Sequence, residues 1–227
     1  LRAITRLGHR HGCVVGFDLA HSAGNVTLAL HDDDVDFAAW CTYKYLNAGP
    51  GAVAGAYVHE RHDESTRERR LAGWWGHDPD ARFAMGDNWE FRARPGADGW
   101  QLSNPPILAL APVRASAALF ARMGMPALRA RSLELTGLLE AGIDRLDDPR
   151  IEILTPRDPD RRGSQLSLRF HGDVDRFFAG LARRGIVGDV RRPDVIRLAP
   201  APLYNTRVDV WNALTGLRET LAELPAR

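Results

Sequence analysis

The chain has 227 residues, 44% hydrophobic and 26% charged, and its 30 basic and 29 acidic side chains leave a net charge of +1. That length and composition support a core without disulfides or metal and exclude wholesale disorder. The balanced charge gives no argument for a nucleic-acid or membrane partner. The longest charge-free run, Tyr45 to Val58, is too short and too broken by glycine to cross a bilayer. No charged segment followed by an apolar one opens the chain, so no secretory signal is read and the cytoplasm is the expected compartment.

In chain order, residues 1–11 read as a helix already in progress, ended by Gly12, so the chain is expected to begin partway through an α/β domain. Apolar runs at 13–17, 36–42 and 52–58 follow, each bounded by turn residues and read as buried strands. A looped stretch covers 60–104 and includes Gly73-Trp74-Trp75-Gly76-His77. Asn104-Pro105-Pro106 then signals a helix start. Residues 126–146 form an amphipathic helix with proline in its first turn. Beyond it the pattern predicts strands at 151–154, 165–170, 186–190 and 195–198, and helices at 173–184 and 207–223. The Arg/Asp-rich loop 155–163 reads as a solvated hairpin. The expected architecture is α/β, with one domain over 1–125 and a smaller α/β domain over 126–227.

Two residue counts stand out. Cys13 and Cys41 both lie in apolar runs and are read as free, buried thiols; two cysteines alone make no structural zinc site. Of the 30 basic residues, 29 are arginine and one is Lys44. Arginine stays charged, whereas a desolvated lysine can lose its proton and attack a carbonyl. Lys44 follows the strand 36–42, and Asp18 closes the strand 13–17. In a parallel sheet both would face the carboxyl edge, where ligands bind. A nucleophilic lysine and a carboxylate are what pyridoxal phosphate requires, one for its aldehyde and one for its ring nitrogen. Taken separately, Asp18 also reads as a helix cap and Lys44 as a surface ion-pair partner.

Five ordered motifs carry a resemblance that runs from about residue 8 onward. They are Phe17-Asp18-Leu19-Ala20-His21-Ser22-Ala23-Gly24-Asn25, Cys41-Thr42-Tyr43-Lys44-Tyr45-Leu46-Asn47-Ala48-Gly49-Pro50-Gly51, Gly73-Trp74-Trp75-Gly76-His77, Ser103-Asn104-Pro105-Pro106, and Ile196-Arg197-Leu198-Ala199-Pro200-Ala201-Pro202-Leu203-Tyr204-Asn205. Together they resemble the C-terminal part of kynureninase, a fold-type-I pyridoxal-phosphate enzyme. The resemblance implies a partial large cofactor-binding domain followed by a small C-terminal domain. It also implies that the half bearing the phosphate-gripping loop and the ring-stacking aromatic lies outside this chain.

The same resemblance assigns roles. Lys44 becomes the lysine that takes the cofactor aldehyde and later the base at the substrate α-carbon, and Asp18 the partner of the pyridine nitrogen. His21 reaches the ring's neighbourhood, its plainer reading being a core histidine. Tyr43 resembles a phosphate-contacting tyrosine and proton donor. Trp74 and Asn104 match residues lining the cofactor and substrate pocket, largely of the neighbouring subunit, which implies a homodimer with a shared active site. Asn104 also reads as a helix cap, and Trp75 as plain core. Arg197 matches the arginine that binds the substrate carboxylate. The implied reaction is hydrolysis of L-kynurenine, or 3-hydroxykynurenine, to the corresponding anthranilate and L-alanine, a step of tryptophan catabolism. A cysteine desulfurase would need a nucleophilic cysteine well after the lysine, and both cysteines here precede it. A class V aminotransferase and a non-catalytic fragment are the other readings.

Overall fold

The computed structural model describes residues 1–63, 70–71, 73–84 and 90–225. The chain divides into two compact units, Leu1–Arg122 and Met123–Arg227.

In the first unit, α1 (Arg2–Arg10) leads into β1 (Gly16–Asp18), β2 (Phe37–Trp40) and β3 (Gly55–Val58), with α2 (Ile107–Met123) at the unit's end. The strands lie in the order β1-β2-β3. β1 and β2 run parallel with Asp18 opposite Ala39, and β3 returns antiparallel. Gly12 ends α1 in the left-handed region at φ 72°, and the Cys13 N–H closes the last turn on the Gly8 carbonyl.

The strands are shorter than the apolar runs predict, and backbone hydrogen bonds show why. Cys13 N–H is spent on the helix cap, and Val15 N–H goes to the Asp36 side chain at 2.7 Å. At the other end of the runs, the Thr42 carbonyl accepts from Ala48 in a turn, while the Val53 carbonyl accepts from a side chain. The two N–H groups are thereby lost to a ladder, and the two carbonyls are turned to partners outside it. Burial is one-sided as well. Ala38, Leu19, Val35 and Ala48 are buried, whereas Phe37, Ala39 and Ala56 on the strands are exposed. The two thiols depart from expectation in the same way: both are free, but Cys13 is exposed and Cys41 only half-buried. α2 starts three residues after Asn104, so Asn104 does not cap it.

The second unit holds α3 (Met125–Leu146), β4 (Ile151–Ile153), β5 (Leu166–Phe170), α4 (Val174–Arg183), β6 (Asp189–Arg191), β7 (Val195–Leu198) and α5 (Arg207–Glu223). The sheet order is β4-β5-β7-β6, antiparallel throughout. Alternation on β5 turns Leu166, Leu168 and Phe170 into a core with Ile196 and Leu198 of β7. The helices close this core with Leu135, Leu139 and Ile143 of α3, Phe177 and Leu181 of α4, and Leu217 of α5. Thr206 and Asp209 form a reciprocal capping box at the start of α5. β6 begins later than predicted because Gly185, at φ 72°, and Ile186 N–H are used to close α4 on Leu181. The loop 155–163 joins the antiparallel pair β4 and β5 as a hairpin, with residues 156–161 exposed, and its arginines also tie it to α3. Arg157 and Arg162 pair with Glu140 of α3, and Arg129 of α3 bonds the carbonyls of Pro159 and Arg162.

Candidate active site

The carboxyl ends of β1 and β2 carry the candidate chemistry. Past Asp18 the chain turns tightly: the Asp18 Oδ1 accepts the Ala20 N–H at 2.9 Å, and Ser22 and Ala23 both donate to the Leu19 carbonyl. The turn delivers His21, whose carbonyl is held by Asn25 Nδ2 at 3.0 Å. After β2, the loop from Thr42 to Val53 delivers Lys44. Its Nζ lies 3.1 Å from His21 Nε2 and 5.8 Å from the centroid of the Tyr43 ring.

Asp18 and Tyr43 are both exposed, so the strand ends present a carboxylate, an imidazole, an amine and a phenol toward open space. The helix-cap reading of Asp18 does not hold, because turns and no helix follow it; its Oδ1 closes a local turn on the Ala20 N–H instead. Among the described residues the partner of the Lys44 amine is an imidazole and not a carboxylate.

Trp74 is partly exposed and meets the Phe83 ring edge-on at 5.6 Å; Asn104 is exposed ahead of α2. Among the described residues neither is brought against Lys44. Trp75, read as plain core, is half-buried beneath the Arg82 guanidinium, 4.3 Å from its ring.

In the second unit, Arg197 points to the sheet face opposite the helices, since its neighbours Ile196 and Leu198 are the buried ones. It pairs with Asp189, directly across on β6, and Asp189 also accepts from Arg191 at 3.1 Å. The Arg197 Nε is buried without a partner, so one donor of its fork is uncommitted.

One polar cluster escapes the sequence reading altogether. Asp36, buried at the amino end of β2, receives His9 Nε2 at 2.8 Å, the Val15 N–H at 2.7 Å and His62 Nε2 at 3.1 Å. Burial alone would raise the Asp36 carboxyl, but these hydrogen bonds override it and hold it below the usual carboxylate range. Nearby, burial followed by the Arg61 charge pushes the His59 imidazole down, whereas His31, hydrogen-bonded to Glu60, is pushed up. This cluster lies at the opposite end of the strands from Lys44. Its partners come from 21 or more residues away, which is why local pattern cannot reveal it.

Residues 128–217 match the kynureninase C-terminal domain family. Kynureninase from Myxococcus xanthus is 58% identical over 217 residues, covering 96% of this chain and 50% of that protein. The Stenotrophomonas maltophilia kynureninase is 56% identical over 213 residues, with 92% and 50% covered. The chain resembles the kynureninases, in their C-terminal part. It spans about half the length of the curated relatives it matches.

Solved structures agree on the fold. The cysteine desulfurase CsdA from Escherichia coli superposes with a TM-score of 0.78 at 20% identity, covering 99% of this chain and 56% of that one. Alanine–glyoxylate aminotransferase from Nostoc sp. gives 0.67 at 17% identity, with 96% and 56% covered. The fold is that of the fold-type-I pyridoxal-phosphate enzymes. At these identities the likeness to desulfurases and aminotransferases carries the architecture and not the reaction.

Proposed function

We propose that this chain supplies the cofactor lysine and the substrate-binding arginine of a kynureninase, hydrolysing L-kynurenine or 3-hydroxykynurenine to the corresponding anthranilate and L-alanine. The observation that carries the reading is the Lys44–His21 contact of 3.1 Å beside Asp18, at the strand ends where this fold binds its ligand. The similarity to kynureninases over more than nine-tenths of the chain supports it.

The donor set fits pyridoxal phosphate: a partly exposed amine with no acidic partner among the described residues, and a solvent-facing carboxylate one turn before the imidazole. When bound, that cofactor would supply the electron-accepting ring that makes cleavage next to the substrate's α-carbon feasible. In this reading Lys44 holds the cofactor and then moves the α-proton. Asp18 keeps the ring nitrogen charged, while His21 orients the lysine amine and lies beside the ring. Tyr43 contacts the phosphate and returns a proton. Arg197 binds the substrate carboxylate with the fork geometry that lysine lacks. Trp74 and Asn104 line the pocket of a partner subunit in a cytoplasmic homodimer.

Anthranilate release from kynurenine, followed by fluorescence in the protein that carries this sequence, tests the reading. Lys44→Arg should abolish turnover with the fold intact, because the charge remains and the nucleophile is lost. Arg197→Ala should retain the cofactor absorbance but lose about 30- to 1,000-fold in kcat/KM, mostly through KM. An active Lys44→Arg protein, or keto-acid-dependent turnover without anthranilate, would reject it.

A further inference from the structure

We propose that the buried hydroxyls of Thr42 and Ser116 are positioning residues for Lys44, clamping the loop that carries its amine at two points. The inference rests on reading Lys44 as the cofactor lysine. The loop leaves β2 after Trp40 and rejoins the sheet at Gly55, with no ladder pairing of its own in between.

At its neck the Thr42 Oγ1 donates to the Val53 carbonyl at 2.7 Å, and the Thr42 carbonyl accepts from Ala48 N–H at 3.0 Å. Thr42 is 3% exposed. Across the loop, Ser116 of α2 donates its hydroxyl to the Leu46 carbonyl, and it too is buried. Lys44 therefore lies between two anchored points of the backbone: Thr42, whose hydroxyl holds the Val53 carbonyl, and Leu46, whose carbonyl is held by Ser116. A third side is closed by Gly24, where an added Cβ would meet the Tyr45 carbonyl at 2.8 Å.

Ser116 departs from the ordinary behaviour of a helical hydroxyl. Buried Thr136 and Thr220 donate to carbonyls four residues earlier in their own helices, the usual outlet. Ser116 instead donates to a residue 70 positions away, in the lysine loop. A hydroxyl committed outward in this way serves the loop and not the helix. Loop carbonyls at buried contacts need such partners, because losing one leaves an acceptor unpaired and free to rearrange. The amine at the end of a flexible four-carbon stem is placed only as well as the backbone beneath it.

Lys44 is the sole lysine, which gives a direct readout. The whole chain grown with lysine labelled by carbon-13 at Cε yields a single lysine resonance. In Thr42→Val and in Ser116→Ala, that resonance should move toward its position in the urea-unfolded chain while circular dichroism stays that of the folded protein. Thr42→Ser, which restores the hydroxyl, should keep the wild-type position. The rate at which added pyridoxal phosphate is trapped on Lys44 by borohydride should fall about 5- to 10-fold in the first two variants only. If Thr42→Val does not fold, Ser116→Ala set against Thr42→Ser carries the comparison. An unmoved resonance and unchanged trapping rate in Ser116→Ala, or a Thr42→Ser protein that behaves like Thr42→Val, would overturn the clamp. Should the wild-type chain take no label on Lys44 while the resonance still moves in the variants, the cofactor reading fails and the clamp stands.

Discussion

Lys44 and Asp18 are legible in the sequence because each breaks a pattern that a single chain displays. One is the only amine among 29 guanidinium groups, and the other closes an apolar run. His21, Tyr43, Trp74, Asn104 and Arg197 have no such mark, and only resemblance selects them. Asp36 is illegible for a different reason, since its charge is satisfied by His9 and His62 from two other elements. Removing it should be costly. Asp36→Asn leaves His9, His62 and the Val15 N–H facing a neutral partner, and should destabilise the first unit by about 2–4 kcal/mol at neutral pH. The pH dependence follows from the sign of the shift. A carboxyl held below its unfolded value of about 3.9 contributes fully above that pH, and the contribution is lost as pH falls through the lower folded value. His59, pushed down by burial, adds stability above about pH 6.5 that fades as pH falls through its depressed folded value. Urea unfolding across pH 3 to 7 should show Asp36→Asn flattening the acid limb below about pH 4. An acid limb identical to wild type would contradict the role given to Asp36.

At the scale of elements, the helices were more legible than the strands. β7 and α5 fall where the pattern predicts, because each begins and ends on local signals such as the Thr206–Asp209 box. The strands of the first unit come out short because their end residues answer to partners the pattern does not contain: a helix carbonyl, a buried carboxylate and a threonine hydroxyl. Of these, the threonine bond lies at the site's end of the sheet, where it closes the loop that bends away from β2 and carries Lys44. Gly24 is the most exacting position beside that loop. Its φ of 80° and its contact with the Tyr45 backbone exclude a side chain on two separate counts. Gly24→Ala should cost about 1–3 kcal/mol and displace the lysine loop. Thermal unfolding together with cofactor absorbance checks this; a Gly24→Ala protein with wild-type stability and normal cofactor binding would remove the constraint.

Across the whole molecule, the two units differ in what they bury. The second unit carries a continuous apolar core drawn from all three of its helices and from β5 and β7, with Ile151 and Ile153 of β4 and Val190 of β6 packed against it. Residues 123–227 produced alone should therefore unfold in one cooperative transition; a broad, non-cooperative melt would show that the core is not self-sufficient. The first unit leaves much of its apolar surface open, with Phe37, Ile107, Leu108 and Leu119 exposed, and no single described helix is long and apolar enough to cross a membrane. The site proposed here depends on the carboxyl edge of that unit's sheet. The fold alone would equally admit a desulfurase or an aminotransferase. What separates the chemistries is which residues stand at the strand ends.

The central claim is that the amine at those ends, Lys44, carries the cofactor. Because the chain holds one lysine, the decisive measurement is borohydride reduction of the protein with pyridoxal phosphate, followed by proteolysis and mass mapping. The account predicts one pyridoxyl group per chain on the peptide containing Tyr43-Lys44-Tyr45, and none in Lys44→Arg. Label confined to the amino terminus, or persisting in Lys44→Arg at the wild-type level, would contradict it.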